Sequence, residues 1–156
     1  AVFLSILNPL SGKLADKIGF KPTMLVGMIM IIAGWTAGLL VLDRLSLWAM
    51  ILCAMVIEGG NAFVMMPAVT LGANALPDKL VPAVITTVRQ VLGSAGVTIS
   101  TLILTVATAN ALQSGMTAQL AALHGYRLVF IGMIIVELFG LVLAFLLKNT
   151  KKQSEN

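Results

Sequence analysis

The chain has 156 residues, of which 59% are hydrophobic and only 10% charged, and its mean hydropathy is +1.03. Soluble domains carry roughly a quarter charged residues, so this composition excludes an ordinary soluble domain and indicates a protein surrounded by hydrocarbon. The net charge of +4 comes from basic residues in short clusters between apolar runs. Such clusters do not form the single basic patch that nucleic-acid binding requires. The lone cysteine, Cys53, excludes an intramolecular disulfide and a cysteine metal cluster.

In chain order, the apolar runs predict a half-span followed by four full membrane spans. Residues 1–10 are too short to cross a bilayer, which takes about 20 residues, so we expect the chain to begin inside a helix and to be the C-terminal part of a longer protein. The full spans are predicted at about 23–42, 47–71, 83–107 and 127–147. Only a helix satisfies its backbone polar groups within one span. The expected fold class is therefore an all-α, polytopic transmembrane helix bundle over residues 1–147.

The connections between the spans predict the orientation of the chain. Basic residues concentrate in alternate connections: Lys13, Lys17 and Lys21 after the half-span, Lys79 after the second full span, and Lys148, Lys151 and Lys152 in the tail. The short connection after the first full span holds Asp43 and Arg44. No Lys or Arg lies in the loop from about 108 to 126, where 113–125 has room for a short amphipathic helix. Because cytoplasmic loops are enriched in Lys and Arg, we expect a multi-pass protein of the cell membrane. Residues 148–156 would form a disordered cytoplasmic tail.

A Gly-Asp-Gly frame with basic residues fills the first connection, residues 12–22, which reads Gly-Lys-Leu-Ala-Asp-Lys-Ile-Gly-Phe-Lys-Pro. Gly12 and Gly19 permit a tight turn and a close approach of helices. Asp16 can cap a neighbouring helix or pair with a basic side chain. Such a pair would be a latch that forms in one conformation and breaks in another. The alternative is an ordinary cytoplasmic turn that only sets the topology.

This segment resembles the loop signature of the major facilitator superfamily, G-x-L-A-D-[RK]-x-G-[RK]-[RK]. The matching residues are Gly12, Leu14, Ala15, Asp16, Lys17, Gly19 and Lys21, whereas Phe20 departs from the usual basic residue. The resemblance implies a partial major facilitator fold. It also implies that Gly12, Asp16, Lys17, Gly19 and Lys21 take part in gating.

A second resemblance concerns the late helices. Residues 66–77, with Pro67, Asn74 and Leu76-Pro77, and residues 87–96, with Thr87, Arg89-Gln90 and Gly93-Ser-Ala-Gly96, are similar to the fourteen-helix drug:proton antiporters of the EmrB/QacA type. Val81, Ile85 and Thr86 depart from the residues usual there. The resemblance implies export of amphipathic, often cationic compounds driven by inward proton flow, with no cofactor. The implied partners are protons, the bilayer and the remaining helices of the parent transporter.

Charged and polar residues inside the predicted spans are candidates for function, because they are costly in hydrocarbon and usually face a cavity or a partner. At about 100° per residue, Glu58 shares one helix face with five other residues: Asn61, Ala62, Met65, Val69 and Gly72. This mixed face suits a cavity wall for apolar cations, and Glu58 is the candidate proton carrier. The alternative is a Glu58 that pairs within the bundle or lies close to the membrane interface. For Glu137 we expect a structural or inter-helix hydrogen bond.

The third span carries the remaining candidates. Arg89 either reaches the cytoplasmic surface or pairs with an acid during gating, and Gln90 adjoins it. Gly93 and Gly96 share a face with Arg89, which suggests close helix packing. A hydroxyl stripe occupies another face: Thr87, Gln90, Ser94, Thr98, Thr101, Thr105 and Thr108. The stripe either lines a wet path or bonds its own helix carbonyls, and the sequence favours neither.

Other functions are less well supported by the sequence. A membrane-embedded enzyme would need a nucleophile or metal grouping, and the chain has one His and one Cys with no such pattern. A non-transporting scaffold subunit would have the same spans but no use for Glu58 or the 12–22 segment. A major facilitator transporter of a sugar, lipid or nutrient stays open, since only the late-helix resemblance argues for drugs.

Overall fold

The computed structural model describes the backbone of residues 2–146, and side chains from Ser5 onward. In chain order the helices are α1 (Val2–Ile18), α2 (Phe20–Val41), α3 (Leu47–Asn74), α4 (Val81–Gln113) and α5 (Ala118–Leu146), with a short 3-10 turn at Leu42–Arg44. No strand occurs among these residues. The prediction of an all-α membrane bundle is confirmed: α3, α4, α5 and the stretch Phe20–Arg44 are long and apolar enough to cross a bilayer.

The closest packing joins α2 to α3, which run antiparallel. A Cβ atom built on Gly27 would lie 2.6 Å from the Gly60 carbonyl oxygen, and one built on Gly60 would lie 2.5 Å from the Gly27 carbonyl oxygen. Nearer the other end, a Cβ on Gly34 would lie 2.5 Å from Ile57 Cγ1. Side chains this small let backbones touch, which is how membrane helices gain van der Waals contact without a hydrophobic driving force.

Helix α5 packs along the length of α2, also antiparallel. Met24, Met28 and Ala144 form a buried cluster near the start of α2, and Trp35 packs edge-to-face on Phe130 with ring centroids 5.0 Å apart. Polar contacts close both ends of this interface. They are the hydrogen bond from Lys21 Nζ to the Phe145 carbonyl oxygen (2.6 Å) and the ion pair of Arg127 with Asp43 (2.5 Å).

Helix α4 is held at its two ends and is open in its middle. Near its C-terminal end, a Cβ built on Gly125 of α5 would lie 2.5 Å from Thr108 Oγ1 and 3.1 Å from the Leu104 carbonyl oxygen. At its other end, Ile85 Cδ1 approaches the position of a Cβ on Gly72 of α3 at 3.8 Å. Between these contacts most residues from 86 to 103 are exposed.

Two connections are shorter than the sequence predicts. The 12–22 segment is not a loop, because α1 continues through it to Ile18 and only Gly19 separates α1 from α2. Similarly, α4 continues to Gln113 and α5 begins at Ala118, so the expected outward loop is reduced to residues 114–117. Ala, Leu and Gln dominate both flanks of that connection and favour helix outside hydrocarbon as well as inside it. The predicted tail, 148–156, lies outside the described residues.

Candidate functional site

The candidate face of α3 centres on two polar residues in the middle of the helix. Glu58 and Asn61 are exposed, and neither forms a hydrogen bond or ion pair with another residue that the structure describes. The opposite side of the helix is buried against α2 through Gly60 and Phe63. Ala62, predicted to share the face of Glu58, is instead 1% exposed. The polar face is therefore narrower than predicted, and Glu58 points away from the packed core.

Arg89 and Gln90 lie on the exposed part of α4 and form no hydrogen bond with a described residue. Arg89 is one turn beyond Ile85, whose side chain meets α3 beside Gly72. Glu58 is 14 positions before Gly72 in α3, which at 1.5 Å per residue is about 21 Å along the helix. Arg89 is only about 6 Å from the same level. The two charges are thus about 15 Å apart along the helix axes, too far for a direct ion pair in this conformation.

The hydroxyl stripe of α4 divides into two groups. Thr98 donates a hydrogen bond to the Ser94 carbonyl oxygen (2.8 Å), and Ser94 donates to the Val91 carbonyl oxygen (3.0 Å). These hydroxyls are satisfied within their own helix. Thr101 and Thr105 are exposed and have no hydrogen-bond partner among the described residues. Ser94 and Thr98 have used their hydroxyl donors, whereas Thr101 and Thr105 can both donate to and accept from water or a ligand.

A groove lies between α4 and α5, on the side of their tight contact at Gly125 that is nearer the N-terminus of α4. It has a volume of about 450 Å³. Its lining residues are Leu92, Gly93, Gly96, Val97, Ser100, Thr101 and Met133. Ser100 Oγ lies 4.0 Å from Met133 Sδ, near the end of the groove that is closer to Gly125. Gly93 and Gly96, two of the α4 residues that line the groove, have no side chain, and no described atom lies within 4 Å of a Cβ built on either of them.

The 12–22 segment turns at a single residue. Gly19 has φ 99° and ψ 162°, a conformation that favours glycine, and its carbonyl oxygen accepts a hydrogen bond from the Thr23 hydroxyl (2.9 Å). Gly12 is helical and nothing lies within 4 Å of a Cβ built on it, so the turn predicted there does not form. Asp16 and Lys17 are exposed in the last turn of α1 and form no ion pair with a described residue.

Lys21, in the 12–22 segment, forms a hydrogen bond with a residue far away in the sequence. Its ammonium group donates to the carbonyl oxygen of Phe145 in the last described turn of α5. Cations are favourable at a helix C-terminus, where the last carbonyls have no intrahelical donor. The sequence showed only that Lys21 is basic. It could not show which helix end it reaches, since the partner is 124 positions away.

The glycines that pack are not the ones predicted. Gly93 and Gly96, the predicted packing residues, have no described side chain or backbone atom within 4 Å of a Cβ built on them, so that role stays a prediction for contacts beyond the described residues. The close approaches occur instead at Gly27, Gly34 and Gly60 between α2 and α3, and at Gly125 between α4 and α5. The sequence could have indicated the packing of α2, since Gly27 and Gly34 are seven positions apart and share one face of this helix.

The hydrogen bond expected for Glu137 is not formed within the described residues either. It is partly buried in α5, and it has no hydrogen-bond partner among the residues described. The expected inter-helix hydrogen bond is therefore not formed within this part of the chain. No group of three His, Cys, Asp or Glu side chains lies close enough to hold a metal ion in the described region.

Similarity to known proteins agrees with this architecture. The family model of the Major Facilitator Superfamily matches residues 1–156. An uncharacterized MFS-type transporter of Bacillus subtilis, YcnB, is 33% identical over 99% of this chain and 33% of its own length. The lincomycin resistance protein LmrB of Listeria monocytogenes is 27% identical over 96% of this chain and 34% of its own length.

The LmrB protein of Bacillus subtilis is likewise 27% identical, over 93% of this chain. No solved structure matches the chain significantly. The chain spans about a third of the length of the curated relatives it matches. With four bilayer-length helices, a superfamily match over every residue and a relative at this level of identity, the chain belongs to the Major Facilitator Superfamily of transporters.

Proposed function

We propose that the chain is the C-terminal part of an exporter of amphipathic, cationic drugs that exchanges its cargo for protons. The main support for this proposal is Glu58. Its carboxyl group lies in the middle of a membrane-spanning helix and is not neutralised by any described residue. An intramembrane acid without a partner is expensive in hydrocarbon and is retained where a proton or a cation binds it. The names of the lincomycin resistance relatives support a drug as the cargo.

The surroundings of Glu58 fit a cationic, partly apolar cargo. Asn61 lies one turn away on the same exposed face and offers an amide, and Met65 one turn further offers a flexible, polarizable side chain. A carboxylate can bind a cation or a proton but not both at once. Competition at Glu58 would thus couple the release of cargo to the uptake of a proton.

In transporters of this kind two bundles rock about a midplane site. In our proposal α2, α3 and α5 move together, because glycine contacts join α2 to α3 and polar contacts close both ends of the α2–α5 interface. The exposed Asp16 and Lys17, at the end of α1, would engage a partner in only one of the two conformations. This would be the gating role of the 12–22 segment.

We also propose that the protein lies in the cell membrane with its C-terminus in the cytoplasm. The polar contacts support this orientation. Lys21 and Phe145 lie together at the end that carries the basic connections, and Asp43 and Arg127 lie together at the opposite end. Labelling of single cysteines introduced at Lys79 and at Ser114 with a membrane-impermeant maleimide in intact cells tests it. Only position 114 should react, and reaction at 79 alone would reverse the orientation.

The test of the proposed function is Glu58→Gln in the intact transporter. Gln keeps the size of the side chain and removes the charge and the proton site. Uptake of a cationic dye, and of lincomycin, into everted membrane vesicles energised by a proton gradient should fall to the level of vesicles without transporter. Asp78→Asn is the matched control, since it removes an exposed acid from the connection between α3 and α4, and it should transport normally.

Two results would contradict the proposal. Wild-type efflux by Glu58→Gln, in protein inserted at normal levels, would remove this carboxyl group from the mechanism. Transport of a neutral sugar or other nutrient by the wild type, with no dye efflux, would change the cargo and keep only the superfamily.

A further inference from the structure

A second intramembrane acid, Glu137, lies where three helices meet. On α5, Met133 one turn before it lines the groove with α4, and Gly140 and Ala144 after it pack against Met28 of α2. Met133, Glu137, Gly140 and Ala144 are four, three and four residues apart, so they share one face of α5. Along this face Glu137 follows Met133, which lines the groove with α4, and precedes Gly140 and Ala144, which contact α2. It therefore stands at the junction of α2, α4 and α5, at the level of Gly96 in the lining of the α4–α5 groove.

The depth of Glu137 follows from the two polar contacts that close the α2–α5 interface. Arg127 lies ten positions before it and Phe145 eight positions after it, distances of about 15 and 12 Å along the helix. The two contacts are therefore about 27 Å apart along α5, close to the thickness of the hydrocarbon core. Glu137 is thus near the bilayer midplane.

No cation faces this carboxyl group from the helices packed around it. Within the described residues, the only charged side chain on α2 is Lys21, which is bound to the Phe145 carbonyl oxygen. The only charged side chain on α4 (Val81–Gln113) is Arg89. Gly96 is the α4 residue at the level of Glu137, and Arg89 is two turns closer to the cytoplasm than Gly96. Arg89 and Glu137 are therefore about 10 Å apart along the helix axis. On α5 the other ionisable groups are His124, Tyr126 and Arg127, all beyond the outer end of the groove.

An acid so placed has two ways to avoid an isolated charge. It accepts a proton, or it meets water or a cation that enters the groove. Ser100 and Thr101 are the hydroxyls of the groove, about one turn outward from the level of Glu137. They give an entering water molecule a polar partner on its way to the carboxyl group.

We propose that Glu137 is an exchangeable proton-binding site served by the α4–α5 groove and separate from Glu58 on α3. With the groove closed or dry the carboxyl group holds its proton. With water in the groove it releases the proton. A role of this exchange in transport rests on the proposed function, but proton binding itself does not.

Carbodiimide labelling of the intact transporter tests the site without measuring transport. Dicyclohexylcarbodiimide dissolves in the membrane and reacts with protonated carboxyl groups in apolar surroundings. Mass spectrometry of peptides should find the adduct on Glu137, with a yield that decreases several-fold as the pH is raised from acidic to alkaline. The exposed acid Asp78 should stay unlabelled. An unlabelled Glu137 at every pH, or a yield that does not change with pH, would overturn the proposal.

Filling the groove supplies the second measurement. Gly96→Leu places a large side chain in the groove, whereas Gly132→Leu adds the same side chain to α5 at a position that also has nothing within 4 Å. The first variant should change the pH dependence of Glu137 labelling and the second should leave it as in the wild type. Equal behaviour of the two, with both folded by size-exclusion chromatography, would refute access through the groove.

The Glu58→Gln variant separates this inference from the proposed function. Labelling of Glu137 should persist in that variant even though transport is lost. If Glu58→Gln transports normally, the proposed function fails, and labelling of Glu137 is still decided by its own result. If Glu137 loses its pH-dependent labelling in Glu58→Gln, the two acids form one site and the inference of a separate one is wrong.

Discussion

Adding one methyl group at Gly60 tests the packing that defines this bundle. A Cβ there would lie 2.5 Å from the Gly27 carbonyl oxygen, 2.6 Å from Ile31 Cγ1 and 3.0 Å from Ile31 N. Ordinary contact begins at 3.4 Å, so α2 and α3 must separate by about 0.9 Å, and a gap of about 0.5–1 Å forfeits a quarter to a half of each dispersion contact. Because two of the three neighbours are backbone atoms, rotamer changes cannot relieve the clash.

The matched control is Gly96→Ala, which adds the same methyl group where nothing lies within 4 Å. Both variants gain the helix propensity of Ala, worth about 1 kcal/mol, and this gain cancels in their difference. The difference in stability is therefore the overpacking penalty alone, about 1–3 kcal/mol. Gly60→Ala should unfold at a lower temperature than Gly96→Ala when the intact transporter is heated in detergent and followed by fluorescence-detected size-exclusion chromatography.

Equal melting temperatures for the two variants would refute the reasoning, since they would mean that α2 and α3 are not in backbone contact. A low melting temperature for Gly96→Ala alone would show that helices beyond the described residues pack tightly on α4. The packing role predicted for Gly93 and Gly96 would then be correct.

Three further predictions concern the connections. Gly19→Ala should lower the melting temperature, because φ 99° is strained for any residue with a Cβ, whereas Gly12→Ala, in open helix, should not. Asp16→Asn should slow turnover in the vesicle transport assay, since it removes the charge proposed for gating. It should not lower the melting temperature, because an acid near a helix C-terminus opposes the helix dipole. Unchanged turnover would mean that the 12–22 segment only sets the topology. Arg127→Ala should cost under about 1 kcal/mol, since the partners are 45% and 63% exposed, and the charge-swapped Asp43→Arg/Arg127→Asp pair should recover the loss; no recovery would mean that the ion pair does not form.

The helices themselves could be predicted from the residues, but not their ends. Long apolar runs leave the backbone no partner but itself in hydrocarbon, and this fixed the number and order of the spans. The ends differed because Ala118 and its Ala- and Leu-rich neighbours favour helix although they lie outside the predicted span. They also differed because residues 12–18 continue α1 although they carry charge. Hydropathy indicates whether a segment lies in hydrocarbon or in water. The hydrogen-bonded helix, by contrast, continues until a residue such as Gly19 ends it.

Among the candidate residues, the sequence picked out the unpaired acid Glu58, because a charge inside an apolar run stands out whatever its neighbours are. It could not tell Gly60, where two backbones touch, from Gly96, where nothing does, since both are glycines on transmembrane helices. Nor could it give Lys21 a partner at Phe145 or place Glu137 at the junction of three helices. Composition and periodicity depend on residues close in the chain, and they determined the solvent and the helices. Which helix faces carry packing, polar contacts or open space depends on residues up to 124 positions apart, and only the tertiary structure decided it.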